Sequence, residues 1–151
     1  MPGFIVQAGA YDANFVGRPS KAPIKNESTN GLKNLRGSIS MARDQTANSA
    51  TSQFFVNLGD NDSLDSVDGE AGSAVFGRVI RGMDILDAIA ASPTGDKLAT
   101  VPGGGSVQLH NVPLQTVTIL SAQQVTSGEA KGTDGPASVI GAPNSPFTIE
   151  R

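Results

Sequence analysis

Apolar residues fall in short runs separated by long polar stretches, and most runs carry the two-residue period of strands. Gly3–Gln7 (GFIVQ) predicts a buried strand, and Ala74–Ile80 (AVFGRVI) predicts another. Ser38–Ala42 and Gln53–Leu58 predict two strands flanking a loop of Asp, Gln, Thr, Asn and Ser. The spacing then changes: Met83, Leu86, Ile89 and Ala90 lie on one face of a short helix over Arg81–Ala91, which Ser92 and Pro93 stop. Leu98–Val107 contains three consecutive glycines and is expected to be a loop. Pro113–Val125 predicts a final strand, with Val117 and Ile119 alternating against Thr116 and Thr118. The fold class is mainly β.

The connections are polar. Ala8–Asn34 reads as loop, with Asn30-Gly31 as a tight-turn dipeptide, and Gly59–Gly72 as an acidic, flexible connection. From Thr126 the chain is rich in Gly, Pro, Ser and Ala and is expected to be disordered, because it offers too little apolar surface to offset ordering. The closing FTIER is too short to interpret. The organisation predicted is one domain over 1–125 and a tail over 126–151.

Charge and composition narrow the chemistry. A net charge of −3 and a pI near 5.0 give no footprint for nucleic acid, and no basic cluster suggests an anionic membrane surface. The absence of cysteine excludes disulfides, thiolate catalysis and Cys-ligated zinc, and fits a reducing or an oxidising compartment. One histidine, His110, rules out a multi-His metal site within the chain, and no nucleophile elbow accompanies it. Asp60–Asp62 and Asp65–Glu70 lack the spacing of an EF-hand and read as a solvated loop. No apolar run approaches the roughly 20 residues of a membrane-spanning helix. MPGFIVQAGA lacks the basic start and long apolar core of a signal peptide.

Phe54 and Phe55 stand side by side in a strand, so they point to opposite faces. Pattern alone allows two core aromatics of a sandwich, or one interior ring and one lining a second apolar surface. Gln53 lies on the opposite face from Phe54, and Gln7 sits in an otherwise apolar strand, where a buried amide needs a partner.

Six segments in order resemble the cyclophilin family of peptidyl-prolyl cis-trans isomerases, in its bacterial form. They are Pro2–Gly9, Pro23–Glu27, Asn30–Arg43 (NGLKNLRGSISMAR), Asn48–Asn57 (NSATSQFFVN), Ala74–Ile89 and Asn111–Ala122. The resemblance implies a cyclophilin-like antiparallel β-barrel with capping helices, filled by its own side chains, with a proline-binding pocket on the outer surface. It implies that Phe54 packs inward and that Phe55 floors the pocket. By position, Phe4 and Ile5 would supply apolar wall, and Gln7 and Gln53 amide groups. Ala42 and Arg43 would present backbone to the peptide, and Leu64 would close the far side. The implied activity is rotation of X-Pro bonds in protein folding, on proline-containing peptides and unfolded proteins, without cofactor or metal. Gln7 would support catalysis.

The departures also carry expectations. Family members have a Phe-His-Arg strand just before the Pro-Gly-Phe motif, and its arginine donates to the prolyl nitrogen. Here Met1 precedes Pro2, so that arginine, the first two strands and the first helix of the usual domain are not in this sequence. Open ladder edges would invite pairing or aggregation, and little isomerase activity is expected of residues 1–151. Ser63 replaces a large residue beside the proline site, which predicts a shallow pocket and weak binding of cyclosporin-type inhibitors. Ser73 stands near the position at which the family has a pocket His or Tyr. Three readings follow: an N-terminally incomplete isomerase, a non-catalytic proline-peptide binding module, and a purely structural β domain. The compartment, cytoplasmic or periplasmic, and the oligomeric state are left open.

Overall fold

A computed structural model describes residues 3–120 and, as backbone alone, residues 124–125 and 148–150. Its elements are β1 (Ile5–Ala8), β2 (Ser38–Met41), β3 (Phe54–Asn57), β4 (Val75–Arg81), α1 (Met83–Ala91), β5 (Thr94–Thr100), β6 (Ser106–Pro113), β7 (Gln124–Val125) and β8 (Thr148–Glu150). A 3-10 turn occupies Asp62–Leu64. The ladders form a six-stranded sheet in the order β1-β3-β2-β4-β8-β7 and a separate β5–β6 hairpin.

Strand β3 lies between β1 and β2, antiparallel to both, and its register sorts the side chains into two faces. Val56 is opposite Val6 and Ile39, and Phe54 is opposite Ala8 and Met41. This face packs against α1. Ile39, Val56, Leu58, Leu86 and Ala90 form the buried core there, with Val6, Phe54, Val79, Met83 and Ile89 packed around it. On the other face Phe55 is opposite Gln7 and Ser40, and Asn57 is opposite Ile5. That face is covered by polar groups, and Ser38, Ser40, Asn57 and Asn61 are all buried.

The helix begins at Gly82, whose φ of 86° places it in the left-handed region that a glycine enters without a steric cost. It ends at Ser92, whose hydroxyl donates to the Ile89 carbonyl at 2.6 Å, just before Pro93. Arg36 ties the helix to the β1–β3 layer. Its guanidinium binds both carboxylate oxygens of Asp87 at 3.0 and 2.7 Å and donates to the Leu58 carbonyl at 2.6 Å.

Two expectations are corrected. Leu98–Val107 is not a loop throughout: β5 and β6 pair across it, Leu98 opposite Gln108 and Thr100 opposite Ser106. Only 101–105 turns, where Gly103, Gly104 and Gly105 all take positive φ and Val101 N–H donates to the Gly105 carbonyl. Three glycines mark the turn of a hairpin whose strands are too polar to show an apolar stripe. Nor is Pro113–Val125 one strand. Pro113 ends β6, residues 114–120 form no ladder, and the next described strand is Gln124–Val125. Val117 and Ile119 alternate as a strand would, but alternation makes a strand only where a neighbour accepts its hydrogen bonds. The expected acidic connection is also more structured than its composition suggests, because it contains the 3-10 turn and a Val67–Glu70 bridge. Most of the tail from Thr126 lies outside the described residues. Within it Thr148–Glu150 pairs antiparallel with β4.

Candidate functional site

The outer face of β1, β3 and β2 gathers several of the expected residues. Gln7 is opposite Phe55 in the β1–β3 register, and Gln53 stands immediately before β3, two positions ahead of Phe55. Gln7 Nε2 donates to Gln53 Oε1 at 2.8 Å, near solvent. Beneath them Phe55 is 4% exposed. Ala42 N–H donates to the Gln53 carbonyl at 3.0 Å, which fixes the strand end beside the amide pair.

Phe4 is half-buried and acts structurally through its carbonyl, which accepts from Leu58 N–H at 2.8 Å and from Asn61 Nδ2 at 3.0 Å. Ile5 is half-buried at the edge of the sheet. Leu64 ends the 3-10 turn, and its carbonyl accepts from Ser73 N–H at 2.7 Å. Ser63 is exposed and Ser73 half-buried. Arg43 is placed differently from a residue that presents only backbone. Its Nε donates to the Gly72 carbonyl and its Nη1 to the Asp44 carbonyl, each at 2.9 Å, while Nη2 reaches the Ala71 carbonyl. The guanidinium is therefore committed to the loop that follows Leu64.

A cavity of about 430 Å³ runs along β1 between the sheet and α1, bordered by Val6, Phe54, Leu86, Val112 and Ile119. Ile5, Gln7 and Gln53 reach its rim. Phe4, Ala42, Arg43, Phe55 and Leu64 do not border it, so the expected contacts split between the outer face and this inner opening.

Sequence reasoning missed the buried polar layer that packs on the Ser40 and Asn57 side chains of this face. Asn34 is 1% exposed. Its Oδ1 accepts from Ser40 Oγ at 2.6 Å and Asn57 Nδ2 at 3.2 Å. Its Nδ2 faces Asp65 Oδ1 at 2.9 Å and the carbonyls of Leu64 and Ser73 at 3.1 and 3.2 Å. Asn57 Nδ2 donates to Ser38 Oγ at 2.8 Å, and Asn61 Nδ2 to Asn57 Oδ1 at 2.7 Å. The available signal was Ser38 and Ser40 alternating with Ile39 in a strand where both faces are buried. Burial opposes ionisation of Asp65. The Asn34 backbone N–H and side-chain amide, then the Lys33 ammonium at 3.4 Å, outweigh it and hold the carboxyl below its ordinary 3.8. Among the described residues no group of three or more His, Asp or Glu side chains is placed to hold a metal ion.

Fold and site together define an antiparallel β domain whose outer face offers a buried aromatic ring, an amide rim and backbone, with no nucleophile–base pair among them. Residues 1–124 match the family model described as cyclophilin type peptidyl-prolyl cis-trans isomerase/CLD, and the chain belongs to this family. It is 44% identical over 131 residues to a peptidyl-prolyl cis-trans isomerase of Acinetobacter baylyi, covering 87% of this chain and 65% of the relative. It is 43% identical over 123 residues to peptidyl-prolyl cis-trans isomerase A of Dickeya dadantii, covering 82% and 60%. To peptidyl-prolyl cis-trans isomerase B of Escherichia coli it is 46% identical over 97 residues, covering 62% and 58%. The chain thus spans about three fifths of the length of these relatives.

Proposed function

We propose that this chain carries the proline-binding part of a peptidyl-prolyl cis-trans isomerase acting on X-Pro bonds of peptides and unfolded proteins. The observation that carries the reading is the alignment of Phe55, Gln7 and Gln53 on one face by the β1–β3 register. Rotation about a peptide bond meets a barrier of about 18–20 kcal/mol because resonance must be broken. X-Pro bonds populate both isomers and exchange slowly enough to limit folding. In the twisted state the prolyl nitrogen regains a lone pair and the carbonyl dipole turns. A surface that seats the ring and orients donors toward those atoms binds the twisted state better than either planar isomer. Phe55 supplies the seat, Leu64 the far wall, and the Gln7–Gln53 pair the amide donors and acceptors. No covalent step is needed.

A second reading, a proline-peptide binding module without turnover, is favoured by one observation. Ser63, next to Leu64 in the 3-10 turn, is small and exposed where the resemblance implies a large residue beside the proline site, which leaves a shallow seat for the ring. Titrating the full chain with an Ala-Ala-Pro-Phe peptide, while following cis–trans exchange by NMR, separates the readings. Binding with faster exchange supports the isomerase, binding alone supports the module, and no binding at all defeats both.

A further inference from the structure

Residues 65–72 leave and re-enter the fold through a narrow neck. Ser73 N–H donates to the Leu64 carbonyl at 2.7 Å, and a Cβ on Gly72 would overlap that carbonyl and the Asp65–Ser66 peptide. Arg43 and Asn26 both donate to the Gly72 carbonyl, and Gly72 N–H donates to Ser28 Oγ at 3.0 Å. Asn34 sits on the inner side of this neck. Its Oδ1 receives from Ser40, which is paired directly opposite Phe55, while its Nδ2 donates to both sides of the neck. The amide cannot be reversed without facing its NH₂ to donors and its oxygen to three acceptors. It is therefore a one-way bridge from the strand beside the Phe55 floor to the Leu64 wall.

We propose that Asn34 is a positioning residue for the proline pocket: by bridging Ser40 to Leu64, Asp65 and Ser73 it sets the separation between the pocket's floor and its far wall. The inference rests on the pocket reading above. Asn34 itself touches no substrate, since it is buried against the Ser40 and Asn57 side chains. Asp65 is its partner, because its Oδ1 accepts both the Asn34 backbone N–H at 2.8 Å and the side-chain amide. A wall held this way discriminates the proline ring from a smaller side chain, so the consequence is one of specificity.

The test compares the full chain with Asn34→Ala, Asp65→Asn and Phe55→Ala. NMR titration gives the affinity for Ala-Ala-Pro-Phe and for Ala-Ala-Ala-Phe, and amide exchange reports the sheet and the neck. Asn34→Ala is expected to weaken the proline peptide about tenfold, the effect of one buried polar contact. It should lower the preference for proline over alanine and expose Ser73 N–H while the β2–β3 amides stay protected. Asp65→Asn keeps an acceptor for Asn34 and should show a smaller loss in the same direction. Unchanged affinity and preference in a folded Asn34→Ala chain overturn the proposal, as do equal losses for both peptides. If Asn34→Ala does not fold, wild-type behaviour of Asp65→Asn overturns it. Wild-type binding by Phe55→Ala instead defeats the pocket reading itself, whatever Asn34 does.

Discussion

At the scale of single residues, Phe54 and Phe55 show how adjacent side chains of one type are placed on different faces of a sheet. Phe54 belongs to the face packed on α1, and its truncation to alanine is expected to cost about 3–5 kcal/mol in urea unfolding. The folded fraction should still bind a proline peptide. Phe55→Ala should lose that affinity; equal affinity losses in both variants would contradict the division. Ile39, fully buried between the layers, gives the pure core case: Ile39→Val should cost about 0.5–1.5 kcal/mol with no change in peptide affinity. Of the candidate site, strand alternation made legible that Phe54 and Phe55 take different faces and that Gln53 lies on the face away from Phe54. The resemblance supplied the rest of the outline, Leu64 and Arg43 included. Asn34 was not legible, since an asparagine in a turn-rich stretch looks like any loop residue. One end of its bridge is Ser40 nearby, but the other is Leu64 and Asp65, 30 and 31 positions away, which no local pattern encodes. The side-chain role of Arg43 was hidden for the same reason.

At the scale of elements, legibility followed apolar content. Strands β1 to β4 and helix α1 each place several large apolar residues at the period of their structure, so the sequence marks them within a residue or two. The β5–β6 hairpin does not. Leu98 is 66% exposed, and its strand otherwise presents Thr, Asp, Lys and Thr, so pairing is held by backbone bonds rather than an apolar stripe. The helix offers a test of its own start. Gly82→Ala forces a side chain into the left-handed region and is expected to cost about 1 kcal/mol, read as a lower urea midpoint with unchanged slope. A neutral result would show that the helix starts elsewhere. Arg36 should matter more than its partner. Asp87→Ala removes one exposed bidentate pair, whereas Arg36→Ala also strips a donor from the Leu58 carbonyl, so the second variant should unfold at lower urea than the first.

For the whole molecule, acid stability and the open cavity report different parts of the same architecture. Among the described residues three carboxyls are held below their ordinary 3.8: Asp44 through the Ser49 hydroxyl and the Thr46 backbone, Asp87 through Arg36, and Asp65 where Asn34 and Lys33 outweigh desolvation. A carboxyl held lower in the folded chain than in the unfolded one stabilises fully above the unfolded value, and that contribution disappears as pH falls through the folded value. Urea midpoints should therefore hold level above pH 5 as far as these groups are concerned, and begin to fall near 3.8, continuing below it. Asp65→Asn should flatten part of that fall. The cavity makes a separate demand. Its border of Val6, Phe54, Leu86, Val112 and Ile119 is apolar, and Ile119 and Val117 beside it are 40% and 48% exposed. An apolar opening of about 430 Å³ is large enough for an anilinonaphthalene dye, whose fluorescence should rise and shift blue with the chain under native conditions. Loosely packed compact states bind such dyes too, but they lose fixed side-chain signals and cooperative unfolding. Dye binding that coexists with dispersed methyl resonances, protected β2–β3 amides and a sharp urea transition assigns it to the cavity. Leu86→Lys, which places a charge in that wall, should then reduce it. Dye binding that appears only as those signals broaden would instead mean that the sheet and α1 do not hold their packing in solution, and the opening along β1 would not be a feature of the folded chain.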